Sequence, residues 1–137
     1  MSQFSEELGP RHNLTRYISE KLDQSRLNPS ASKVFAMALI GEEPFVLEFL
    51  RRFFVDELQK EKQTLDRWVE QGLMKPVPVE HLFITIWAMT QTYADFDGQV
   101  KVLLQKEQLD QRTDLYAVGL LLYELISGEP PYQATSP

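Results

Sequence analysis

The residues best suited to recognising a small molecule lie close together on one apolar, helix-like stretch. Trp87, Gln91, Tyr93 and Asp95 bring two aromatic rings, an amide and a carboxylate together within nine residues, and Trp68 precedes them on another such stretch. A few polar groups on otherwise apolar helices are what a ligand pocket uses to orient its ligand. For the two tryptophans ordinary core packing outweighs ligand contact by roughly three to one. For the Gln91 amide and the Tyr93 phenol, ligand contact and ordinary core packing are about equally favoured, because a buried polar group needs a hydrogen-bond partner of some kind.

Other chemistry finds little support in these residues. The chain has no cysteine and only two histidines, His12 and His81, far apart in the sequence. Asp95 and Asp97 precede a glycine, as in a calcium loop, but the remaining ligand positions fail. No nucleophile elbow is present. We therefore predict no catalytic residue, no metal site and no cofactor, and hence a protein that is not an enzyme.

Charge and composition limit the kinds of partner. The formal net charge is −6, and the 14 basic residues are scattered along the chain. Nucleic-acid binding needs a concentrated positive face, so direct DNA binding is not expected. The longest apolar run, residues 115–123, is far shorter than the ~20 residues that span a bilayer. A globular, cytoplasmic protein with no membrane partner is predicted.

Helical periodicity dominates the chain. Apolar residues recur at helical spacing over residues 13–27, 30–40, 44–71, 80–105 and 114–127. No segment alternates with period two for long enough to indicate a strand. The sequence predicts an all-α bundle of about five to six helices.

Glycines are expected to punctuate these helices. Gly41 should end the second helix as a left-handed cap, Gly72 should end the third, and Gly98 should kink or weaken the fourth.

The long third helix is predicted to bury one apolar side along its whole length. Its members are Phe45, Phe49, Phe53, Leu58, Leu65, Trp68 and Val69. The charged stretch 56–67 between them is expected to be a solvated face with ion pairs along the helix.

Three sequence blocks occur in an order and spacing typical of one family. They read RYISEKLDQSRLNPSASKVFAMALI (16–40), LQKEKQTLDRWVEQGLMKPV (58–77) and HLFITIWAMTQTYADFDGQVKVLL (81–104). Residues from about 13 to 109 resemble the C-terminal regulatory domain of TetR-family transcriptional repressors, of the RutR-like branch, and the likeness stops near 108–110. This resemblance implies a cavity for a small effector and a homodimer built by the last two helices of each subunit.

The dimer interface implied by the resemblance has two parts. Its expected residues are Leu82, Ile86, Val100 and Leu104 on helix 80–105, and Leu115, Val118, Leu122 and Leu125 on the last helix. Asp95 has a second interpretation, as a solvated residue beside this interface.

The family's DNA-reading unit has no counterpart in these residues. Only about a dozen residues precede the first regulatory helix, too few for a three-helix domain with a helix-turn-helix. We expect no operator binding by this chain alone, and hypothesise a heterodimer with a full-length relative that would have one DNA-reading head.

The end of the chain follows a different pattern. RTDLYAVGLLLYELISGEPPYQATSP (112–137) carries the residues Asp114, Tyr116, Gly119, Tyr123, Glu124, Gly128, Pro131 and Tyr132. These match D-x-Y-x-x-G-x-x-L-Y-E-x-x-x-G-x-P-P-[FY], and the segment resembles the helix after the activation segment of bacterial Ser/Thr kinases. The Gly-rich loop, the β3 lysine, H-R-D and D-F-G are all missing upstream, so phosphotransfer is rejected.

Two accounts of this end remain open. The apolar segment 115–126 replaces the family's last dimer helix, or two gene fragments were joined and the tail has no evolved role. We divide the chain into a regulatory and dimerisation domain, 1–111, and a kinase-like tail, 112–137, packed into the same domain. The functional hypothesis is a ligand-responsive dimerisation domain of a TetR-type repressor. The alternative is a helical protein-interaction module without a ligand, as a fragment or fusion product.

Overall fold

The computed structural model describes residues 4–109, and within this range the chain is entirely helical between its turns. A 3₁₀ turn, Glu6–Leu8, leads into five α-helices. They are α1 (Gly9–Leu27), α2 (Pro29–Ile40), α3 (Pro44–Glu70), α4 (Val79–Asp95) and α5 (Asp97–Leu104). The all-α prediction is confirmed for these residues, while the predicted helix 114–127 lies outside them.

Two helix boundaries differ from the predicted ones. Helix α1 begins at Gly9, four residues before Asn13, and has Pro10 in its first turn, where a missing N–H costs nothing. The single segment predicted over 80–105 is two helices. The break falls at Phe96, with φ −121° and ψ 37°, two residues before the expected weak point at Gly98.

Proline and glycine mark most of the remaining ends, whereas α2 and α5 end with the left-handed residues Glu42 and Gln105. Gly72 adopts φ 73° after α3, and the N–H groups of Gly72 and Leu73 donate to Val69 and Trp68 carbonyls at 3.0 and 2.9 Å. This is a Schellman motif, and only the glycine conformation makes it cheap.

The end of α2 has the same hydrogen bonds with a different residue in the left-handed position. Gly41 is right-handed, with φ −74°, and Glu42 adopts φ 52° instead. The N–H groups of Glu42 and Glu43 donate to Leu39 and Ala38 carbonyls, both at 3.1 Å. The prediction of a left-handed Gly41 was therefore wrong by one residue, because the hydrogen-bonded turn closes one position later.

The core lies between α1, the C-terminal half of α3 and α4. On α1 the predicted face of Leu14, Ile18, Leu22 and Ser25 is buried, as expected. Phe4 closes one end of this core and stacks on both Trp68 and Phe83, with ring centroids 5.9 and 6.1 Å away. The N-terminal segment therefore belongs to the core.

The predicted buried side of α3 is correct only over its second half. Leu65 and Trp68 are buried, but Phe45 is 83% exposed, and Phe49 and Phe53 are also exposed. The first three turns of α3 are therefore covered on one side only. Val46, Leu47, Leu50 and Phe54 are half-buried there, and Phe54 reaches Trp87 of α4.

The charged stretch 56–67 is also less solvated than predicted. Glu61, Thr64 and Leu65 are buried, and Lys60 pairs with Glu57 at 3.1 Å on the outer side. Charge content alone suggested a solvent face, but the helix turns one acidic residue inward, toward Phe4 and α1.

Helix α2 is fastened to the junction of α4 and α5 by side chains. Ser32 Oγ donates to Asp95 Oδ1 at 2.6 Å, and Lys33 Nζ lies 2.8 Å from Asp97 Oδ1. Lys101 on α5 approaches the other Asp97 oxygen at 3.4 Å. The hydrogen bond from Lys33 lowers the pKa of Asp97 below its ordinary value.

Candidate functional site

Trp87 lies at the meeting point of three helices. It is half-buried on α4, and its Nε1 donates to Tyr17 Oη on α1 at 2.7 Å. Phe54 of α3 meets the indole edge-on, with centroids 6.0 Å apart, and Phe83 lies one turn back at 6.1 Å. These four residues form the Trp87 cluster, in which α1, α3 and α4 each contribute at least one ring.

Local sequence places each member of this cluster. Phe83 and Trp87 are four residues apart and share a face of α4, and Tyr17 falls between Leu14 and Ile18 on the buried face of α1. The Tyr17 ring packs edge-on against Phe83 at 5.3 Å, which fixes its hydroxyl toward the indole. The cluster is therefore sensitive to any shift of one helix against another.

Tyr17 is a neutral phenol near neutral pH. Burial raises the pKa of its hydroxyl to about 12, although the hydrogen bond from Trp87 opposes this shift. The oxygen accepts from the indole, and the phenol retains one proton that it can donate. A polar donor is thus present inside an aromatic environment.

Glu61 is a second polar group in the interior. Its residue is 2% exposed, and its Oε1 has no hydrogen-bond partner among the described residues. Burial raises the pKa of the carboxyl, and a hydrogen bond from the Phe4 N–H and the nearby Arg16 oppose that rise. Glu57, one turn away, adds a smaller repulsion that also raises it.

Trp68 packs beside the Trp87 cluster, separated from its Tyr17 and Phe83 rings by Phe4. It is fully buried, its ring stacks on Phe4, and its Nε1 donates to the Glu6 carbonyl at 3.1 Å. Its indole N–H is therefore used to hold the N-terminal turn against α3. This is the core-packing role weighed above against ligand contact.

The other three predicted ligand residues follow Trp87 along α4. Gln91, Tyr93 and Asp95 are all half-buried. Tyr93 packs against the core, and Asp95 holds Ser32 of α2. The structure thus places the five predicted residues at three locations: the α3–Phe4 end, the Trp87 cluster and the α2 junction.

Two surface clefts among the described residues lie elsewhere. One, of about 640 Å³, is open to solvent between the Ser5–Gly9 region and the end of α3 at Gln71 and Leu73. The other, of about 610 Å³, follows the outer side of α1 from Leu8 to Asp23. None of the five predicted ligand residues lines either cleft.

The residues predicted for the dimer interface divide into three groups. Leu82 and Ile86 are buried within the single chain and pack in its own core, so we remove them from the proposed interface. Val100 is half-buried and Leu104 is exposed on α5. Leu115, Val118, Leu122 and Leu125 lie outside the described residues.

Helix α5 presents more apolar surface than predicted. Val102 and Leu103 are 75% and 73% exposed and adjoin Leu104. The sequence interpretation selected α5 residues at core-like spacing and passed over these two. Three consecutive exposed aliphatic side chains on a short helix are unusual unless another surface covers them.

Three interior residues were also missed. Tyr17 was detectable, because it falls within the i, i+3, i+4 pattern of α1. Phe54 was not, since Phe53 beside it fits the periodic stripe better. Glu61 had no signal, because a carboxylate amid other charges normally faces water.

Metal and membrane sites were searched over the part of the chain described. Between residues 4 and 109, no cluster of three histidine, cysteine, aspartate or glutamate side chains could hold a metal ion. In the same range, no helix combines the length and apolar character needed to cross a bilayer.

Comparison with known families identifies the fold just described. Residues 1–127 match the TetR C-terminal family described as YcdC-like protein, C-terminal region. The chain belongs to this family. The TetR-type domain is also 32% identical over 103 residues to the HTH-type transcriptional regulator RutR of Escherichia coli K12 and of Shigella flexneri.

The alignment to RutR covers 75% of this chain and 49% of the relative. The TetR-type domain therefore spans about half the length of the curated relatives that it matches. The family match extends from residue 1 to residue 127, whereas the RutR alignment covers 103 residues.

Kinase similarity is also present, over a shorter part. A probable serine/threonine-protein kinase PknB of Corynebacterium glutamicum is 41% identical over 54 residues, which cover 36% of this chain and 8% of that protein. A kinase of Corynebacterium efficiens gives 43% over the same length. These alignments of 54 residues are longer than the 26 residues from 112 to 137, so they reach beyond the predicted kinase-like segment.

Proposed function

We propose that this chain is the regulatory domain of a TetR-type transcription regulator, which self-associates through α5 and the residues after it. The observation that carries the proposal is the exposed aliphatic group of Val102, Leu103 and Leu104 on α5. Burying such side chains gains about 25 cal/mol per Å² of apolar surface, which favours association of two copies. Membership of the TetR C-terminal family supports the same interface.

The solution mass of the full chain tests self-association. Light scattering on a sizing column should give twice the 15.9 kDa of one chain. Leu103→Asp should shift the protein to the mass of a single chain, because the carboxylate would have to be desolvated in the interface. Leu27→Asp, at the exposed end of α1, is the matched control and should remain dimeric. A wild-type monomer would refute the proposed interface.

The effector-binding part of the proposal concerns the Trp87 cluster. Trp87 and Tyr17 supply aromatic faces and a phenolic donor where three helices meet. A small planar molecule that inserted there would separate α1, α3 and α4, so its binding energy would be coupled to helix positions. Such coupling is how a regulatory domain can transmit occupancy to an attached domain.

Thermal shift with a panel of small planar metabolites, pyrimidines among them, tests the effector site. A specific ligand should raise the melting temperature in proportion to its excess over Kd. Trp87→Phe should abolish that shift, whereas Thr85→Val, exposed on the same helix, should leave it unchanged. A shift that Trp87→Phe leaves intact would place the ligand elsewhere.

A second function is favoured by one specific observation. The exposed phenylalanines at the start of α3 offer an apolar surface that a protein segment can cover without any effector. In that case the domain is a helical interaction module whose interior is filled by its own rings. If no compound of the panel raises the melting temperature and the protein still self-associates, the interaction module is the favoured function.

A further inference from the structure

The segment that precedes α1 is joined to it by a glycine in a conformation that other residues avoid. Residues 4–8, which we name the strap, include the 3₁₀ turn and lead into Gly9, with φ 76° and ψ 173°. A Cβ at Gly9 would meet no atom within 4 Å, so the dihedral angles and not crowding favour glycine there. The strap can therefore change its direction at Gly9 without moving α1.

Side chains of α1 and α3 hold the strap in place. Ser5 and Asn13 exchange two hydrogen bonds, at 2.8 and 2.7 Å. Trp68 Nε1 donates to the Glu6 carbonyl at 3.1 Å, and Arg67 pairs with the Glu6 carboxylate at 2.9 Å. The side chains of that ion pair are 46% and 44% exposed, so water can replace it at little cost. Contacts of this kind allow a segment to detach locally while the helices stay folded.

Phe4 is the buried part of the strap. It is 7% exposed, and its ring contacts Tyr17, Trp68 and Phe83, with centroids 5.9, 5.9 and 6.1 Å away. Leu8, at the other end of the strap, is 54% exposed. Aromatic walls from α1, α3 and α4 therefore surround the space that one phenyl ring fills.

A carboxylate forms the polar side of that space. Glu61 is 2% exposed and accepts a hydrogen bond from the Phe4 N–H, while its Oε1 has no partner among residues 4–109. Burying a carboxylate with an unused acceptor is unfavourable. Closure of the strap thus has two opposing effects, because it buries the Phe4 ring and also removes water from Glu61. The second effect lowers the free energy needed to open the strap.

Solvent already reaches both flanks of the strap. The cleft of about 640 Å³ is lined by Ser5, Glu6 and Glu7, and the cleft of about 610 Å³ begins at Leu8. A molecule can therefore approach the strap from either side without displacing a helix.

We propose that the strap competes with a ligand: when it opens at Gly9, the space vacated by Phe4 binds an aromatic ring that carries an amine. Phe4 itself presents this chemistry, a phenyl ring two carbon atoms from an N–H that Glu61 accepts. A protonated amine would also neutralise the Glu61 carboxylate, and aromatic walls attract such a cation. The inference goes beyond the proposed effector site, because Glu61 and Trp68 lie outside the Trp87 cluster.

Titration calorimetry of the full-length chain with phenethylamine tests the site. This probe has the ring and the two-carbon spacer of Phe4, and hydrocinnamate is its counterpart with a carboxylate in place of the amine. Hydrocinnamate should bind at least tenfold more weakly, because Glu61 repels it. Glu61→Gln should weaken phenethylamine binding at least tenfold. Glu70→Gln makes the same change of charge at an exposed position of α3 and should leave the affinity within twofold.

Competition by the strap is tested with the same probe. The apparent affinity is proportional to the fraction of molecules that are open. Phe4→Ala removes the competing ring, so phenethylamine should bind at least tenfold more tightly. Arg67→Gln loosens the strap from outside and should tighten binding about two- to fivefold, which keeps the test available if Phe4→Ala does not fold. Arg51→Gln, which removes a pair within α3, is the matched control and should have no effect.

Three results would overturn the proposal. They are absence of phenethylamine binding to the wild-type chain, equal affinities for the two probes, and equal losses in Glu61→Gln and Glu70→Gln. Binding that Arg67→Gln tightens no more than Arg51→Gln would overturn the competition by the strap. The metabolite panel reports on Trp87 and this titration on Glu61, so either site can fail without the other.

Discussion

At the scale of single residues, the hydrogen bond between Trp87 and Tyr17 is the contact most diagnostic of the interior. It joins two ring systems from helices 70 residues apart in sequence, at 2.7 Å. The contact requires that α1 and α4 keep one relative position, because a donor-to-acceptor distance beyond about 3.5 Å removes it. The stability of the domain should therefore report on this pair.

Trp87→Phe is expected to lower the free energy of unfolding by about 1 kcal/mol, because the indole N–H is lost while an aromatic ring remains. For a chain of 137 residues the melting temperature should fall by about 3–5 °C. Tyr17→Phe removes the other partner, and the double variant should cost less than the sum of the two. Thermal unfolding of all four proteins measures this coupling, and strict additivity would contradict it.

A buried carboxylate makes stability depend on pH in a defined direction. Burial raises the pKa of Glu61 in the folded protein above its ordinary value, so the folded state binds the proton more tightly than the unfolded state. As pH rises from the ordinary value through the folded value, the domain loses stability. Below the ordinary value both states are protonated and the penalty disappears.

Glu61→Gln should accordingly stabilise the domain at pH 7, by an amount on the order of 1 kcal/mol, because a neutral amide costs less to bury than a carboxylate. The gain should shrink as the pH is lowered toward 4. Chemical unfolding at several pH values measures it, with Glu70→Gln on the exposed side of α3 as the control. A gain that is the same at every pH would contradict the assignment of the buried charge.

At the scale of elements, the ends of α2 and α3 are a natural matched pair. Both end in the same hydrogen-bonded motif, but the left-handed residue is Glu42 in one and Gly72 in the other. The left-handed conformation costs a residue with a Cβ about 1–2 kcal/mol, whereas glycine adopts it without this penalty. The two ends therefore differ in strain although their hydrogen bonds are alike.

Gly72→Ala should destabilise the domain by about 1 kcal/mol, and Glu42→Gly should stabilise it by a similar amount. The added Cβ at Gly72 meets no atom within 4 Å, so the effect at that site is purely conformational. Denaturant unfolding of both variants measures the two changes. Changes of the same sign would show that contacts outweigh backbone strain.

The formation of each helix was predictable from the local spacing of apolar residues. Which residues of a helix are buried by its neighbours was not. Pro44 and Gly72 mark the ends of α3, and both act on the backbone alone. Phe45 and Leu65 look alike to a periodicity argument, yet one is exposed and the other buried. Which half of a helix is covered depends on where α1 and α4 cross it, and no local signal encodes that.

At the scale of the whole molecule, the proposed self-association predicts a consequence for longer relatives. A protein consisting of these 137 residues would form mixed dimers with a regulator that has the same domain attached to a DNA-reading domain. Such a mixed dimer holds one DNA-reading head, whereas a dimeric site is bound by two. Losing half of the base and phosphate contacts weakens operator binding strongly.

Adding excess chain to a full-length relative from the same organism should therefore reduce its operator binding in a gel-shift assay. The Leu103→Asp variant, which should not associate, is the control and should leave operator binding unchanged. Unaltered binding with the wild-type chain would refute the mixed dimer. The experiment requires no knowledge of the effector.

The sequence by itself determined the helical class, most helix ends and the family. The first two depend on apolar periodicity and on proline and glycine chemistry, and the family is indicated by three sequence blocks in a typical order. Only the tertiary structure decided that Leu82, Ile86 and Glu61 are buried. It also decided that the phenylalanines at the start of α3 are exposed. Burial depends on contacts between residues distant in sequence. The same apolar spacing can therefore mark either an interior or a surface that still awaits its cover.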